Sequence, residues 1–467
     1  MRGNSIGRRD VQRQIISVCL PYLFGILILV LFGGCVGIPV PAEKQARQDA
    51  VEIAAKFQPQ GLLVLSTNAN LSDFLQYAIL NSPRVKVAYF DWLASIERIT
   101  RARSLPDPLL TYQMDIARTV ESIMPGLMME FPGPGKLGLR AEVASKETDT
   151  RYYAFETEVL KAAFEVKKAY YQLYFLTDKI RVNRKTLDVV SQMEQVASRQ
   201  NEVGKSSLQD VLRIQMEQDR LNTEIANLED SRVPRVAAFK AALGLKAGDP
   251  TPPLPVNFET TPLNLSVDEM LSAVYDRNPR LKAMEADVSR AEASIRLAAK
   301  ARIPDFAVGL ESDLAMAPVM YRPLFAMTLP IWRDKIAAEI TEAQAMKGAA
   351  EAGLSEEQIK LAVELAEKSF MFREAGRNLT LINKVLLPKA RQALEIARGK
   401  YITGQTGYLD LVDAWRTVLG IELELVEART QRELALAELS LLIAVHPTSD
   451  APILKKKETK SGDSHAK

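Results

Sequence analysis

Two aspartates, Asp410 and Asp413, stand six and nine residues after Gly404 in "TGQTGYLDLVDAW", Thr403–Trp415. If a helix starts here, three-residue spacing puts both carboxylates on one face. Such a pair attracts cations and repels itself. It also suits the first turn of a helix, where acids complement the macrodipole. Two hundred residues earlier "VGKSSLQDVLR", Val203–Arg213, repeats the pattern with Asp210 six places after Gly204. There Arg213 replaces the second acid and can pair with an acid nearby. Other chemistry-bearing residues are scarce. The chain has 467 residues, two histidines (His446, His465) and two cysteines (Cys19, Cys35). Most transition-metal sites and most acid–base or nucleophilic centres draw on those types. No carboxylate pair is singled out for catalysis and no Gly-rich phosphate loop is present, so the sequence reads as that of a non-enzyme without cofactor or metal site. Seven of 14 methionines lie in two short regions: Met114, Met124, Met128, Met129, Met316, Met320 and Met327. Thioethers suit Cu(I); they are equally an adaptable apolar filler. A net charge of +2 and the absence of a basic stripe with interleaved aromatics exclude a nucleic-acid surface. Lys136 and Arg140 form a small basic pair, facing a junction of elements, lipid headgroups or only solvent.

The elements that must position these residues are written twice. "NSPRVKVAYFDWLASIERITRARSLPDP" from Asn81 is answered by "RNPRLKAMEADVSRAEASIRLAAKARIPDF" from Arg277. "EFPGPGKLGLRAEVA" from Glu130 is answered by "TLPIWRDKIAAEI" from Thr328, and Gly204 and Asp210 by Gly404 and Asp410. Partners stand 196 to 200 residues apart throughout, the mark of a duplicated unit. The first copy covers residues 71–245 and the second 265–446, with a Pro-rich linker at 246–264 and a disordered tail at 447–467.

Each unit opens with a helix of about 20 residues that stops before a Pro-Asp pair, since proline disfavours the helical conformation in its predecessor. Residues 109–135 and 306–332 then read as two short strands around a loop, with imperfect alternation. A long helix follows. Tyr152, Val159, Val166, Leu173, Ile180 and Leu187 fall at sevens, with Phe155, Ala162, Ala169, Leu176 and Val190 three further on. From Lys136 to Gln200 that helix reaches roughly 95 Å. The second unit has Leu365, Phe372, Leu379, Leu386 and Ala393 at sevens, with Pro388 placed to bend it. At Gly204 and Gly404 the chain turns back, with Ser206 or Ser207 and Thr406 available as caps. The returning helices carry Ile214, Leu221, Ile225 and Leu228, and Leu411, Trp415, Val418 and Leu425. The fold class is mainly α with a small β part: duplicated long antiparallel helical hairpins plus four strands. An open sheet edge cannot face lipid, and closed membrane barrels need about eight strands or more. Four strands make a barrel only if several chains share it.

The N-terminus carries an address. Arg2, Arg8, Arg9 and Arg13 precede an apolar run, Ile15 to Phe32, followed by Gly33, Gly34 and Cys35. "LFGGC" resembles a bacterial lipobox, with Phe32 where leucine is usual. The resemblance implies a signal peptide over 1–34, acylation of Cys35 and a lipid-anchored linker over 35–70. Val36, in place of an aspartate, implies outer-membrane sorting. The alternative is an uncleaved anchor, at the lower limit of length for a span. Cys19 lies inside the signal, leaving no disulfide in the mature chain.

The doubled "N-x-P-R … P-D-P" framework, "FPGPGKLGLRAEVA" and the two glycine turns resemble outer-membrane efflux proteins of the TolC type, over roughly residues 71–446. "FPGPGKLGLR" is most similar to the heavy-metal efflux branch. The resemblance implies a homotrimer with one shared twelve-stranded barrel in outer-membrane lipid and a helical tube across the periplasm. It implies a passive exit duct for substrates delivered by an inner-membrane pump, of the RND type, through a periplasmic adaptor. In the family, aspartates on the inward helices narrow the pore; Asp410 and Asp413 match those positions, and Asp210 stands at the equivalent place. The turns Val203-Gly204-Lys205 and Thr403-Gly404-Gln405 match the tips that meet the adaptor, although the family usually has "VGT" where Thr403 and Gln405 flank the second glycine. Type I protein secretion, and a lipid-anchored coiled-coil scaffold, are the competing readings.

Overall fold

A computed structural model describes residues 40–57, 65, 69–116, 120–204, 206–254, 263, 265–315, 318–403 and 405–444. Residues 1–34, read as a signal peptide, with Cys35, Lys205, Gly404, Met316, about half of the Pro-rich linker and the tail, lie outside the described residues.

The described chain runs through the same order of elements twice. α1 (Pro41–Phe57) precedes the first pass, α2 (Leu71–Asn81), α3 (Pro83–Arg103), β1 (Leu109–Ile116), β2 (Val120–Phe131), α4 (Lys136–Glu202), α5 (Leu208–Asp230) and α6 (Arg232–Ala242). The second pass is α7 (Val267–Arg277), α8 (Pro279–Ala299), β3 (Phe306–Asp313), β4 (Met320–Met327), α9 (Arg333–Leu381), a π-helical turn (Ile382–Leu386), α10 (Leu387–Ile402) and α11 (Tyr408–Leu442). Pro83 and Pro279 open α3 and α8, where a missing N–H costs nothing.

α4 has 67 residues and is about 100 Å long. Its expected seam is its core face: Phe155, Val159, Val166, Ala169, Leu173, Leu176, Ile180 and Val190 are all buried. α3 and α8 both pack along α4, tying the two halves together. Trp92, Tyr89 and Ile96 of α3 meet Phe155 and Val159, with the Trp92 and Phe155 rings stacked. Phe74 and Leu75 of α2 meet Phe239 and Leu243 across α4. Met270 and Val274 of α7 repeat this against Leu439 and Leu442 of α11.

Two details differ from the sequence expectation. The seam of the second long helix slips by one residue at the π turn. Leu387 and Ala390 are buried, Leu386 is half-buried and Ala393 exposed. A π turn adds one residue to the helical repeat, so a strict seven cannot run through it. Pro388 follows at once, and its absent N–H and its ring are accommodated by this widened turn. The other difference is at the N-terminus. The stretch read as linker contains α1, whose Ala50 and Ile53 are buried against the α3 core. Its Glu43 is buried and bonded to Arg103 Nε at 2.7 Å and to the Thr100 hydroxyl at 2.7 Å. Burial pushes that carboxyl up, but Arg103, Thr100 and Arg47 outweigh it and hold it below the usual carboxylate range.

The four strands form one antiparallel sheet in the order β1-β2-β3-β4, so β1 and β4 are its two edges.

Candidate functional site

The sheet separates its residues by face. Directly paired residues share a face, and neighbours along a strand alternate. The row Thr111–Gly126–Glu311–Arg322 follows from the three registers. On this side the strands also carry Gln113, Asp115, Ser122, Glu130 and Asp313. On the other side stand Leu110, Tyr112, Met114, Ile116, Ile123, Leu127, Phe131, Phe306, Val308, Leu310, Phe325 and Met327. One face gathers nearly all the polar side chains, set among apolar ones such as Leu109, Met128 and Leu324, and the other is almost wholly apolar. A bulge between Asp115 and Ile116, with Pro125 and Pro323 within strands, obscures this alternation in the sequence. Glu311 and Asp313 are buried in the polar face, where Arg322 Nη2 lies 3.3 Å from Asp313 Oδ2. Met124 is buried beside them, with Arg322 Nη1 3.1 Å from its sulfur, whereas Met114, Met320 and Met327 are exposed. Among the described residues, no group of three His, Cys, Asp or Glu side chains is placed to hold a metal ion, and no helix is long and apolar enough to cross a membrane.

Below the sheet is a joint that sequence reading did not find. Lys136, the first residue of α4, is buried, and its Nζ donates to Asp305 Oδ1 at 2.8 Å. The same oxygen accepts the Gly133 N–H at 2.6 Å. Burial pushes the Asp305 carboxyl up, but these two bonds and the positive charges of Lys136 and Arg140 outweigh it and hold it below the usual range. A Cβ on Gly133 would meet the Pro304 carbonyl oxygen at 2.6 Å, so only glycine allows the approach. The sequence shows Lys136 only as a basic residue; its partner, 169 residues away, leaves no local signal.

At the far end of the helices the two turns lie side by side. The Tyr401 hydroxyl donates to Gln200 Oε1 at 2.8 Å, and Arg416 Nη2 meets Glu217 Oε2 at 2.6 Å. Trp415 packs with Val190, Ala197, Val211 and Ile214. In the first turn Gly204 has φ +75° and Val203 is exposed. Ser207 caps α5 in a reciprocal box with Asp210: the Asp210 N–H donates to the Ser207 hydroxyl at 3.1 Å and the Ser207 N–H to Asp210 Oδ2 at 3.4 Å, and the hydroxyl also donates to that oxygen at 2.7 Å. Arg213 makes no ion pair among the described residues. The second turn differs. Gly407, not Thr406, is the N-cap of α11, and the Thr406 hydroxyl oxygen is buried without a partner among the described residues. Thr403 and Gln405 are exposed, the former donating its hydroxyl to Gly399 O at 3.1 Å. Asp410 lies in the first turn of α11 and Asp413 in the next, both exposed. Burial pushes the Tyr401 hydroxyl up, and the nearby Asp210 carboxylate adds to it.

A family model described as outer membrane efflux protein matches residues 75–245 and 270–445. The chain belongs to the outer membrane efflux protein family. It is similar to the cobalt-zinc-cadmium resistance protein CzcC of Cupriavidus metallidurans, 22% identical over 330 residues, 68% of this chain and 77% of that protein. Its fold is that of a membrane protein from Pseudomonas aeruginosa (TM-score 0.70, 18% identity, 81% of this chain and 94% of the other). It is also that of CusC (0.70, 15%, 83% and 94%) and of VceC from Vibrio cholerae (0.68, 16%, 80% and 95%). As an outer membrane efflux protein, the chain is the channel component of a tripartite efflux system, which extends into the periplasm and works with an adaptor and an inner-membrane pump. The family consists of channel proteins.

Proposed function

We propose that three copies of the chain close one twelve-stranded barrel across the outer membrane and one helical tube beneath it, forming a passive duct that performs no chemistry. The observation that carries this is the sheet: one apolar face, one polar face and two unpaired edges, standing above a helix of 67 residues. A barrel of this kind presents its apolar face to lipid and its polar face to a water-filled lumen. Substrate arrives from an adaptor and a pump of the RND type, so the energy for transport lies outside this chain. The similarity to a protein named for cobalt, zinc and cadmium resistance supports metal cations as cargo.

The turns are the periplasmic mouth in this reading. Asp410 and Asp413, repeated by three-fold symmetry, make two carboxylate rings that favour cations and constrict the pore. Asp210 adds charge beside them while capping α5. Val203, Gly204, Lys205, Thr403, Gly404 and Gln405 meet the adaptor. Cys35 carries the lipid, and α1, docked through Glu43 and Ile53, fixes the chain that leads from it.

Lipid and barrel are separable by experiment. Cys35→Ser, with the signal replaced by an ordinary cleavable one, removes the acyl chain only. The variant is expected to stay in the outer-membrane fraction through alkaline washing. Its release as soluble protein would show that lipid alone holds it, as in an anchored scaffold.

A further inference from the structure

The duplication lets the joint inside the chain predict the joint between chains. Pro106 and Pro304 stand 198 residues apart. Adding 198 to both members of the β1–β2 pair Leu109–Met128 gives Ala307–Ala326, a pair that β3 and β4 do make. The two hairpins therefore have the same register. The seam between them, β2–β3, pairs Met128 with Gly309 and Met129 with Val308. Transposed by the same step, it becomes a β4–β1 seam pairing Ala326 with Thr111 and Met327 with Leu110. Within one chain β4 and β1 are opposite edges and cannot meet.

The helical joint transposes too. At the helix starts the step shortens by one, to 197: α4 begins at Lys136 after the cap Gly135, and α9 at Arg333 after the cap Trp332, so Arg333, and not Asp334, takes the place of Lys136. Asp107, which follows Pro106, takes the place of Asp305, which follows Pro304. Asp305 and Lys136 are bonded at 2.8 Å, whereas Asp107 and Arg333 are both exposed.

We propose that β4 of one copy pairs with β1 of the next in this register, and that Arg333 and the neighbouring copy's Asp107 form the ion pair that repeats Lys136–Asp305. The proposal rests on the shared-barrel reading and adds the register and the residues that set it. Side-chain faces agree with it. Met327 meets Leu110 on the apolar face, and Arg322 comes opposite Asp115 on the polar one. A slip of one residue would set Arg322 opposite Met114 or Ile116, residues of the apolar face. A slip of two keeps the faces but separates both charge pairs. Ile331 stands near the place of Gly133, so the close backbone contact of the inner joint is not repeated; strand register and charge are.

The test uses the full chain extracted in detergent. Oxidation of Thr111→Cys/Ala326→Cys is expected to link copies at least about tenfold faster than Gln113→Cys/Ala326→Cys, which reports a slip of two. Equal or reversed rates would overturn the register. Asp107→Arg and Arg333→Asp singly should each lower the trimer fraction on dilution by about tenfold, and together restore it. A double variant no better than either single would overturn the ion pair. Both sites are exposed, and an acid at the start of α9 favours its dipole, so folding is not at risk. Wild-type chain that stays monomeric by native mass spectrometry would sink the shared barrel itself. A trimer that cross-links out of register would sink only this inference.

Discussion

At the residue scale, single atoms hold the turns and joints, and two of them make sharp predictions. Gly244 follows α6 with φ +77°, and a Cβ there would meet the Asn81 carbonyl oxygen at 2.9 Å. Left-handed backbone alone costs an L side chain roughly 1–2 kcal/mol, before the contact is counted. Gly244→Ala is therefore expected to lower stability by about 2 kcal/mol or more in urea denaturation; a neutral result would mean that the α2–α6 contact is loose. The second is Asp305. Its carboxyl is held below its unfolded value, so the contribution is complete above about pH 4 and lost as pH falls through the lowered value. Protection of the Gly133 amide, whose N–H Asp305 accepts, measured relative to its intrinsic exchange rate, should hold down to that range and then fall. Asp305→Asn should abolish the pH dependence, and Lys136→Met should move it to higher pH.

At the scale of elements, the π turn decides which side chains face the core. Leu387→Ala should cost about 2–3 kcal/mol and Leu386→Ala under about 1 kcal/mol, because the former is buried and the latter is not. The reverse order would restore the unbroken seven-residue seam. This is also where sequence reading reached its limit. Val159, Val166 and Leu173 announced their face because burial along a straight helix has a period. Pro388 announces a disturbance, but no residue type specifies a π turn, so the seven-residue repeat puts Leu386 and Ala393 on the seam. The strands were visible as apolar runs; their two faces became clear only when the Asp115–Ile116 bulge and the registers were known. α1 leaves little signal in the sequence, because Ala50 and Ile53 are a thin apolar stripe on a polar helix. The Lys136–Asp305 joint is non-local, and a basic residue carries no hint of a partner on the other side of the duplication. The turns were half legible. Ser207 caps as its type suggests, while at the second turn Gly407 takes the cap that Thr406 could have taken.

At the scale of the molecule, a single chain is an incomplete object. Among the described residues nothing covers the apolar face of its sheet, and the sheet has two edges with unmade hydrogen bonds; a barrel in lipid satisfies both. Exposed side chains such as Leu110 and Phe325 are the surface such a barrel shows to lipid. Beneath it the paired helical hairpins end in two adjacent turns with acids at the second. The central claim, a cation-conducting duct narrowed at that turn, is tested most directly by single-channel recording of the purified protein in a planar bilayer, wild type beside Asp410→Ala/Asp413→Ala. The account predicts small, cation-selective steps that grow severalfold and lose selectivity in the double variant. Steps of unchanged size and selectivity would contradict the constriction, and a folded oligomer that conducts nothing in either form would contradict the channel.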